Sequence, residues 1–243
     1  MTHSRRATIL GILVLGVLAL AATSCSKKHS PVAEELAKIY GLDSYDQVDT
    51  IRYTFNAEFP GVSLSRSWAW QPKTGQVSYE GKDKEGNVVK VTYLRSQLDS
   101  QPANVKNDVD PGFVNDNYWL LFPFHAYWDT SADVQDKGSQ QLPQGSGSAK
   151  LISVKYPSDG GYTPGDTWDL YVGNDNRVVQ LFYHRGGPKK PSAVITTWEG
   201  YKKAGPLLIS TDHRGTADGN PLHIYFSNVA VKLKGSDAWV DAQ

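Results

Sequence analysis

Thr50-Ile51-Arg52-Tyr53-Thr54-Phe55-Asn56-Ala57-Glu58-Phe59 alternates apolar and polar residues without a break. In an extended chain successive side chains point to opposite faces. Ile51, Tyr53, Phe55, Ala57 and Phe59 therefore share one face, and Arg52, Thr54, Asn56 and Glu58 the other. The pattern predicts a half-buried strand whose inner face is largely aromatic. The same period of two returns in Leu64–Trp70, Gln76–Glu80, Val88–Leu94, Leu151–Tyr156, Thr167–Val172, Val178–His184, Ala193–Glu199, Leu207–His213, Leu222–Phe226 and Val229–Lys234. Between these runs lie Pro72-Lys73-Thr74-Gly75, Lys84-Glu85-Gly86-Asn87, Gly173-Asn174-Asp175-Asn176 and Asp218-Gly219-Asn220, where Gly and Asn supply the positive φ of tight hairpins. Short links make neighbours antiparallel, so the chain reads as a meander of about ten or eleven strands, and so wide a sheet curls.

Two stretches depart from that period. Pro31–Tyr40 has Pro at a first helical position, Glu34 and Glu35 in the opening turns, and Val32, Leu36 and Ile39 on one stripe ending at Gly41. It predicts one short helix. Phe113–Trp128 crowds nine large apolar and aromatic residues together, and a brief helix capped by Asn115 or Asp116 is expected to end before Pro123. The Gly/Ser/Gln-rich segment Asp136–Lys150 has no period and reads as a long surface loop. The whole reads as one sheet with helices against one face.

The amino-terminal segment carries a different signal. Arg5-Arg6, an apolar run from Ala7 to Ala22, and Thr23-Ser24-Cys25 have the layout of an export signal ending at a cysteine, and Cys25 is the sole cysteine of the chain. This resembles a bacterial lipoprotein signal, which implies cleavage before Cys25 and acylation of its sulfur and new amino terminus. Residues 1–24 are then a signal peptide, 25–30 a tether and 31–243 a single domain held at a lipid bilayer. With Ser26 rather than Asp after the cysteine, the resemblance also implies the outer membrane, facing the periplasm. Without residues 1–24, 23 bases face 25 acids, a formal charge of −2. That balance argues against nucleic acid as a partner.

Catalytic patterns are sparse. Gly145-Ser146-Gly147-Ser148 lies in the polar segment, with no strand entering and no helix leaving, so it reads as a linker rather than a nucleophile elbow. His125, His184, His213 and His223 are scattered singly, without the spacing of a metal cluster, and read as strand and loop residues without partners; His125 is placed to sit at a cavity mouth. No catalytic residue, metal site or cofactor is expected. Gly186-Gly187-Pro188-Lys189-Lys190 reads as a hairpin loop whose lysines could meet an anionic head group.

The signal, the leading helix, the meander, the insertion Asn115-Asp116-Asn117-Tyr118-Trp119-Leu120-Leu121-Phe122-Pro123-Phe124 and the later Tyr162-Thr163-Pro164-Gly165-Asp166 with Trp168-Asp169-Leu170-Tyr171-Val172 together resemble the LolA/LolB-like superfamily of periplasmic lipoprotein carriers and outer-membrane lipoprotein receptors. The resemblance spans nearly all of 32–234. It implies a mainly β (α+β) fold, a curved antiparallel half-barrel of about eleven strands with short helices covering its concave face, and a cavity that shelters acyl chains. The expected lining is Tyr53, Phe55, Trp68, Trp70 and Tyr79 from the strands, facing Trp119, Leu120 and Phe122 from the insertion. The expected function is non-catalytic: binding of a lipid, an acyl chain or an acylated protein for transport or sorting. The alternative is an interaction module whose barrel is filled by its own side chains, with a protein partner on a sheet edge or on the Asp136–Lys150 segment.

Overall fold

The computed structural model describes residues 29–83, 85–162, 164–187 and 192–243, so the leader and Cys25 lie outside the described residues. In chain order the elements are α1 (Pro31–Ile39), a 3₁₀ turn (Leu42–Gln47), β1 (Val48–Phe59), β2 (Val62–Gln71), β3 (Gln76–Lys82), β4 (Val88–Leu94), a second 3₁₀ turn (Arg95–Ser100), a π turn (Val105–Val109), α2 (Asp110–Trp128), β5 (Asp133–Gln141), β6 (Ser148–Lys155), β7 (Thr167–Val172), β8 (Val178–His184), β9 (Ala193–Thr197), β10 (Lys202–Ala204), β11 (Leu207–Ile209), β12 (Asp212–Ala217), β13 (Asn220–Leu233) and β14 (Trp239–Asp241).

All but β10 and β11 join one 12-stranded sheet in the order β4-β3-β2-β1-β13-β12-β9-β8-β7-β6-β5, with β14 added to β13. Its pairings are antiparallel throughout. The sheet is not closed: β4 and β5 are its two edges. The chain leaves one edge and re-enters at the other, and α2 makes that crossing through the concavity. On one side Phe113 of α2 meets Trp68 and Trp70 of β2; on the other Trp119 and Phe122 meet Trp168 of β7. The half-barrel read from the sequence is the observed architecture.

The alternation in β1 gives the inner face as expected, with Ile51, Tyr53, Phe55 and Ala57 each at most 2% exposed. Phe59, at the strand end, is 41% exposed instead. Leu222–Phe226 and Val229–Lys234 are one strand, not two. The interruption is a bulge at Asn228, which takes φ 54° where β13 slips one residue against Arg52 and Thr54 of β1. Leu207–His213 is in turn two strands, because the Ser210 and Thr211 hydroxyls donate to the carbonyls of Glu199 and Gly200 and turn the chain between them. The Asp136–Lys150 segment is a loop only over 142–147. It supplies most of edge strand β5 and the start of β6, and its polarity reflects exposure along the edge rather than lack of structure.

The helices also differ from expectation. The buried stripe of α1 is Ala33, Leu36 and Ala37, continued by Tyr40, the i, i+3, i+4, i+7 set; Ile39 faces out at 42% exposure. Gly41 follows at φ 105°, where a Cβ would stand 2.3 Å from the Pro206 carbonyl oxygen. Helix α2 is longer than the brief helix expected, running 19 residues through Pro123. Pro123 kinks it rather than stopping it: Leu121 leaves helical geometry at φ −120°, ψ 23°, and packing on both sides holds the two halves in place. Asn115 and Asp116 are interior to this helix, not its cap.

Candidate functional site

Two buried carboxylates fix α2 in the concavity. Asp116, 0% exposed, accepts from Arg66 Nε at 2.7 Å and Trp68 Nε1 at 2.8 Å of β2, with a second Arg66 nitrogen on its other oxygen. Burial pushes its carboxyl above the usual range, opposed by the Arg66 charge. Asp110, also 0% exposed, accepts from Tyr93 Oη at 2.7 Å, Arg95 Nε at 3.0 Å and Tyr162 Oη at 2.7 Å. Charges are buried here only because every one of them is paired and hydrogen-bonded. These anchors give the Asn115-Asp116-Asn117 segment its structural role.

With α2 seated, two clefts remain beside it. The first, of about 560 Å³, opens at the mouth of the half-barrel. Phe55, Ala57 and Phe59 of β1, Leu64 of β2, Val114 and Trp119 of α2, Trp168 of β7, Val194 of β9 and Leu222 and Ile224 of β13 form its apolar wall. Arg66, Arg185, Asp166 and Asp218 stand among the polar lining. The loop that carries Asp166 is held against the β8–β9 turn. Asp166 accepts from Tyr183 Oη at 2.8 Å and from the Gly186 amide at 2.9 Å. A Cβ on Gly186 would fall 1.9 Å from the Gly165 carbonyl oxygen, so only glycine permits this approach. The Pro164-Gly165-Asp166 and Gly186-Gly187 segments are thus two sides of one joint.

The second cleft, of about 620 Å³, is a seam between β2 and the loop after β6, with α2 as its floor. Trp70, Phe113, Tyr118 and Trp128 supply aromatic wall, and Arg95, Asn117, His125, Asp129 and Asp159 supply polar groups. Asp129 Oδ2 accepts from Tyr118 Oη at 2.6 Å and Tyr156 Oη at 2.7 Å, and His125 Nδ1 stands 3.5 Å from it. Burial opposes the charge of Asp129, but His125 and the two hydroxyls outweigh it and hold the carboxyl below its ordinary range. Behind this lies Asn117, bonded to His125 Nε2 at 2.8 Å. The Asn117 atom on that ring nitrogen is Oδ1, which leaves Tyr53 Oη, Asn117 Nδ2 and His125 Nδ1 as buried polar atoms without a hydrogen-bond partner among the described residues.

The residues expected to line a cavity are distributed over this arrangement. Phe55 and Trp119 line the mouth cleft, and Trp70 lines the seam. Trp68 and Tyr79 pack together, ring centres 4.6 Å apart and tilted by 37°, and border a smaller recess near Lys82 and Asp83. Tyr53, Leu120 and Phe122 are interior, at most 2% exposed. Lys189, Lys190 and Cys25 lie outside the described residues. The histidines are not partnerless, as their scatter suggested. His184 Nε2 lies 3.2 Å from Asp169, His223 Nε2 lies 2.7 Å from Asp212, and His213 stacks on Trp198 at 3.9 Å. Cross-strand register makes these pairs, which sequence spacing cannot display. Among the described residues no group of three or more His, Cys, Asp or Glu side chains could hold a metal ion, and no helix is long and apolar enough to cross a membrane.

Fold and clefts together define an open antiparallel half-barrel wound on a helix, with an apolar mouth and an aromatic seam. No protein-family model and no curated protein matches the chain. Among solved structures it is similar to a LolA superfamily protein from Nitrosomonas europaea, at a TM-score of 0.46 and 9% identity over 83% of this chain and 93% of that one. It is similar too to a DUF1329 family protein from Desulfovibrio piger, at 0.45 and 12% over 85% and 95%. The Mycobacterium tuberculosis lipoprotein LppX matches at 0.30 and 10% over 87% and 100%. These distant likenesses carry no ligand, partner or activity across to this chain.

Proposed function

We propose that the protein is a non-catalytic lipoprotein of the bacterial envelope, tethered through acylated Cys25, whose half-barrel holds a lipid or acyl chain for transport or sorting. The observation that carries this reading is the mouth cleft. α2 fills much of the concavity, yet about 560 Å³ remains beside it, walled by apolar side chains from β1, β2, β7, β9, β13 and α2. Preformed small-molecule sites have this size and this mostly apolar character with a few polar groups. Keeping apolar wall in contact with water costs about 25 cal/mol per Å², so an alkyl chain displacing that water binds without any covalent step. Arg185 lines the same cleft. Lys189 and Lys190 follow it in the chain, and we assign all three to an anionic head group.

The test is native mass spectrometry with lipid extraction on protein purified from a bacterial envelope, beside the Ala217→Trp variant. Ala217 is half-buried on the cleft wall, so an indole there fills the space with little cost to the fold. The expected result is a bound lipid in the wild type, lost in the variant at unchanged thermal stability. An empty wild type, or equal loading of both, rejects the reading. A protein partner is the second reading, and one observation favours it. Edge strand β4 is short of the charges that usually protect an edge, with Lys90 alone among seven residues and Val88 63% exposed. An extended segment of another protein could add there as a further strand.

A further inference from the structure

From the seam cleft we infer that the protein has a second binding site, for an organic ammonium group, built from the Trp70–Trp128 corner and the carboxylates of Asp129 and Asp159. The rings of Trp70 and Trp128 lie 6.4 Å apart at 70°, two walls of a corner, with Phe113 5.8 Å from Trp70. Trp70 and Trp128 are half-buried, and all three rings line the cleft. Aromatic faces attract a cation through their quadrupole, most strongly where water is displaced.

The charge of the lining points the same way. Asp129 spends Oδ2 on Tyr118, Tyr156 and His125, while Oδ1 accepts no hydrogen bond from any described residue. The polar contacts from Asn117 through His125 therefore end at a carboxylate with one oxygen unspent. Asp129 also caps the carboxyl end of α2, where the helix dipole is already negative. An acid there has no local electrostatic benefit, but it deepens the attraction for a cation. Asp159, exposed on the facing loop, adds a second negative charge. Arg95 is the arginine of the lining; it pairs with buried Asp110 and its guanidinium stands 5.6 Å from the Phe113 ring, so the Trp70 and Trp128 rings are the faces left for a second cation.

A free ammonium solute and the head group of a lipid share this chemistry, and the seam and mouth clefts share Val114, Tyr118 and Tyr162 as a common wall. The experiment is tryptophan fluorescence of the full chain at pH 8, titrated with choline chloride, with its neutral isostere 3,3-dimethylbutan-1-ol, with sodium chloride for ionic strength, and with monomeric lysophosphatidylcholine. Choline is expected to give a saturable change that the isostere and sodium chloride do not. Asp129→Asn, which keeps an acceptor for both tyrosines, should weaken choline at least tenfold. Asp159→Asn, on an exposed loop, should weaken it two- to threefold and serves if Asp129→Asn fails to fold. Lysophosphatidylcholine binding a hundredfold or more above choline, and weakened by the same variants, identifies a lipid head group; comparable affinities identify a free solute. Equal responses to choline and its isostere, or affinity unmoved by the folded variants, overturn the inference. The mouth-blocking Ala217→Trp variant should leave choline binding intact, so failure of the acyl-chain reading is distinguishable from failure of this one.

Discussion

His213 shows how much a single side chain here depends on its surroundings. It is 0% exposed, stacked on Trp198 and flanked by Trp119 and Phe226, with one ring nitrogen near Ser210 Oγ at 3.1 Å. Burial pushes its pKa down to about 3. The unfolded chain takes up this proton near pH 6.5 and the folded chain only near 3, so the stability is fully present above 6.5 and is lost as pH falls through that window. At pH 5 the loss amounts to about 2 kcal/mol relative to pH 8. His213→Phe keeps an aromatic ring against Trp198, and its unfolding free energy by urea denaturation should fall less than the wild type's between pH 8 and pH 5, by about that amount. Equal slopes would mean that the imidazole finds a partner for its proton inside the core. The sequence showed His213 only as one histidine in a strand. Its stacking comes from Trp198 across a chain reversal, a relation that no local spacing encodes.

At the scale of elements, period and turn chemistry were readable wherever a strand is regular and half-buried, as in β1, β2 and β7. They failed where a bulge, a corner or an edge breaks the rule, at Asn228, at Ser210-Thr211 and in β5. The helix boundaries failed for a related reason: Pro123 breaks an isolated helix, but α2 is packed on both faces, so the helix resumes beyond its kink at Leu121. The candidate site was legible in type and not in place. The aromatic residues were visible, but which ones fill the interior and which line a cleft depends on where α2 lies. The strap from Pro157 to Asp166 was visible only as turn residues, and it walls both clefts through Tyr162. Its hydrogen bond to Asp110 and the joint of Asp166 with Tyr183 and Gly186 tie it to the body of the domain. Tyr162→Phe should cost about 1 kcal/mol or less and raise amide hydrogen exchange between residues 157 and 162, with α2 unchanged. Exchange that stays at the wild-type level would show that the Tyr162–Asp110 hydrogen bond does not hold the strap.

For the molecule as a whole, alternation tells which face of a strand is buried but not which strand lies beside it. The decisive pairing is β1 with β13, in which Asn56 stands opposite Tyr225, 169 residues along the chain. Each of the two long strands is therefore an edge until the other arrives, and the inner residues Ile51 and Phe55 are covered only when Val231 and Phe226 come into register. α2 has the same dependence, since Trp119 and Phe122 are shielded by Trp168, Trp198 and His213 from the later half of the chain. Such long-range closure makes folding slow and all-or-none rather than stepwise along the chain. A fragment ending at residue 128 contains α1, β1–β4 and all of α2, and a two-domain chain would let it fold. One body sharing the β1–β13 seam predicts instead that residues 29–128 alone show no dispersed amide spectrum and no cooperative thermal transition. Mixing them with residues 129–243 should restore both at micromolar concentration. A folded, cooperatively melting 29–128 fragment would place a domain boundary at the end of α2 and make the seam an interface between domains.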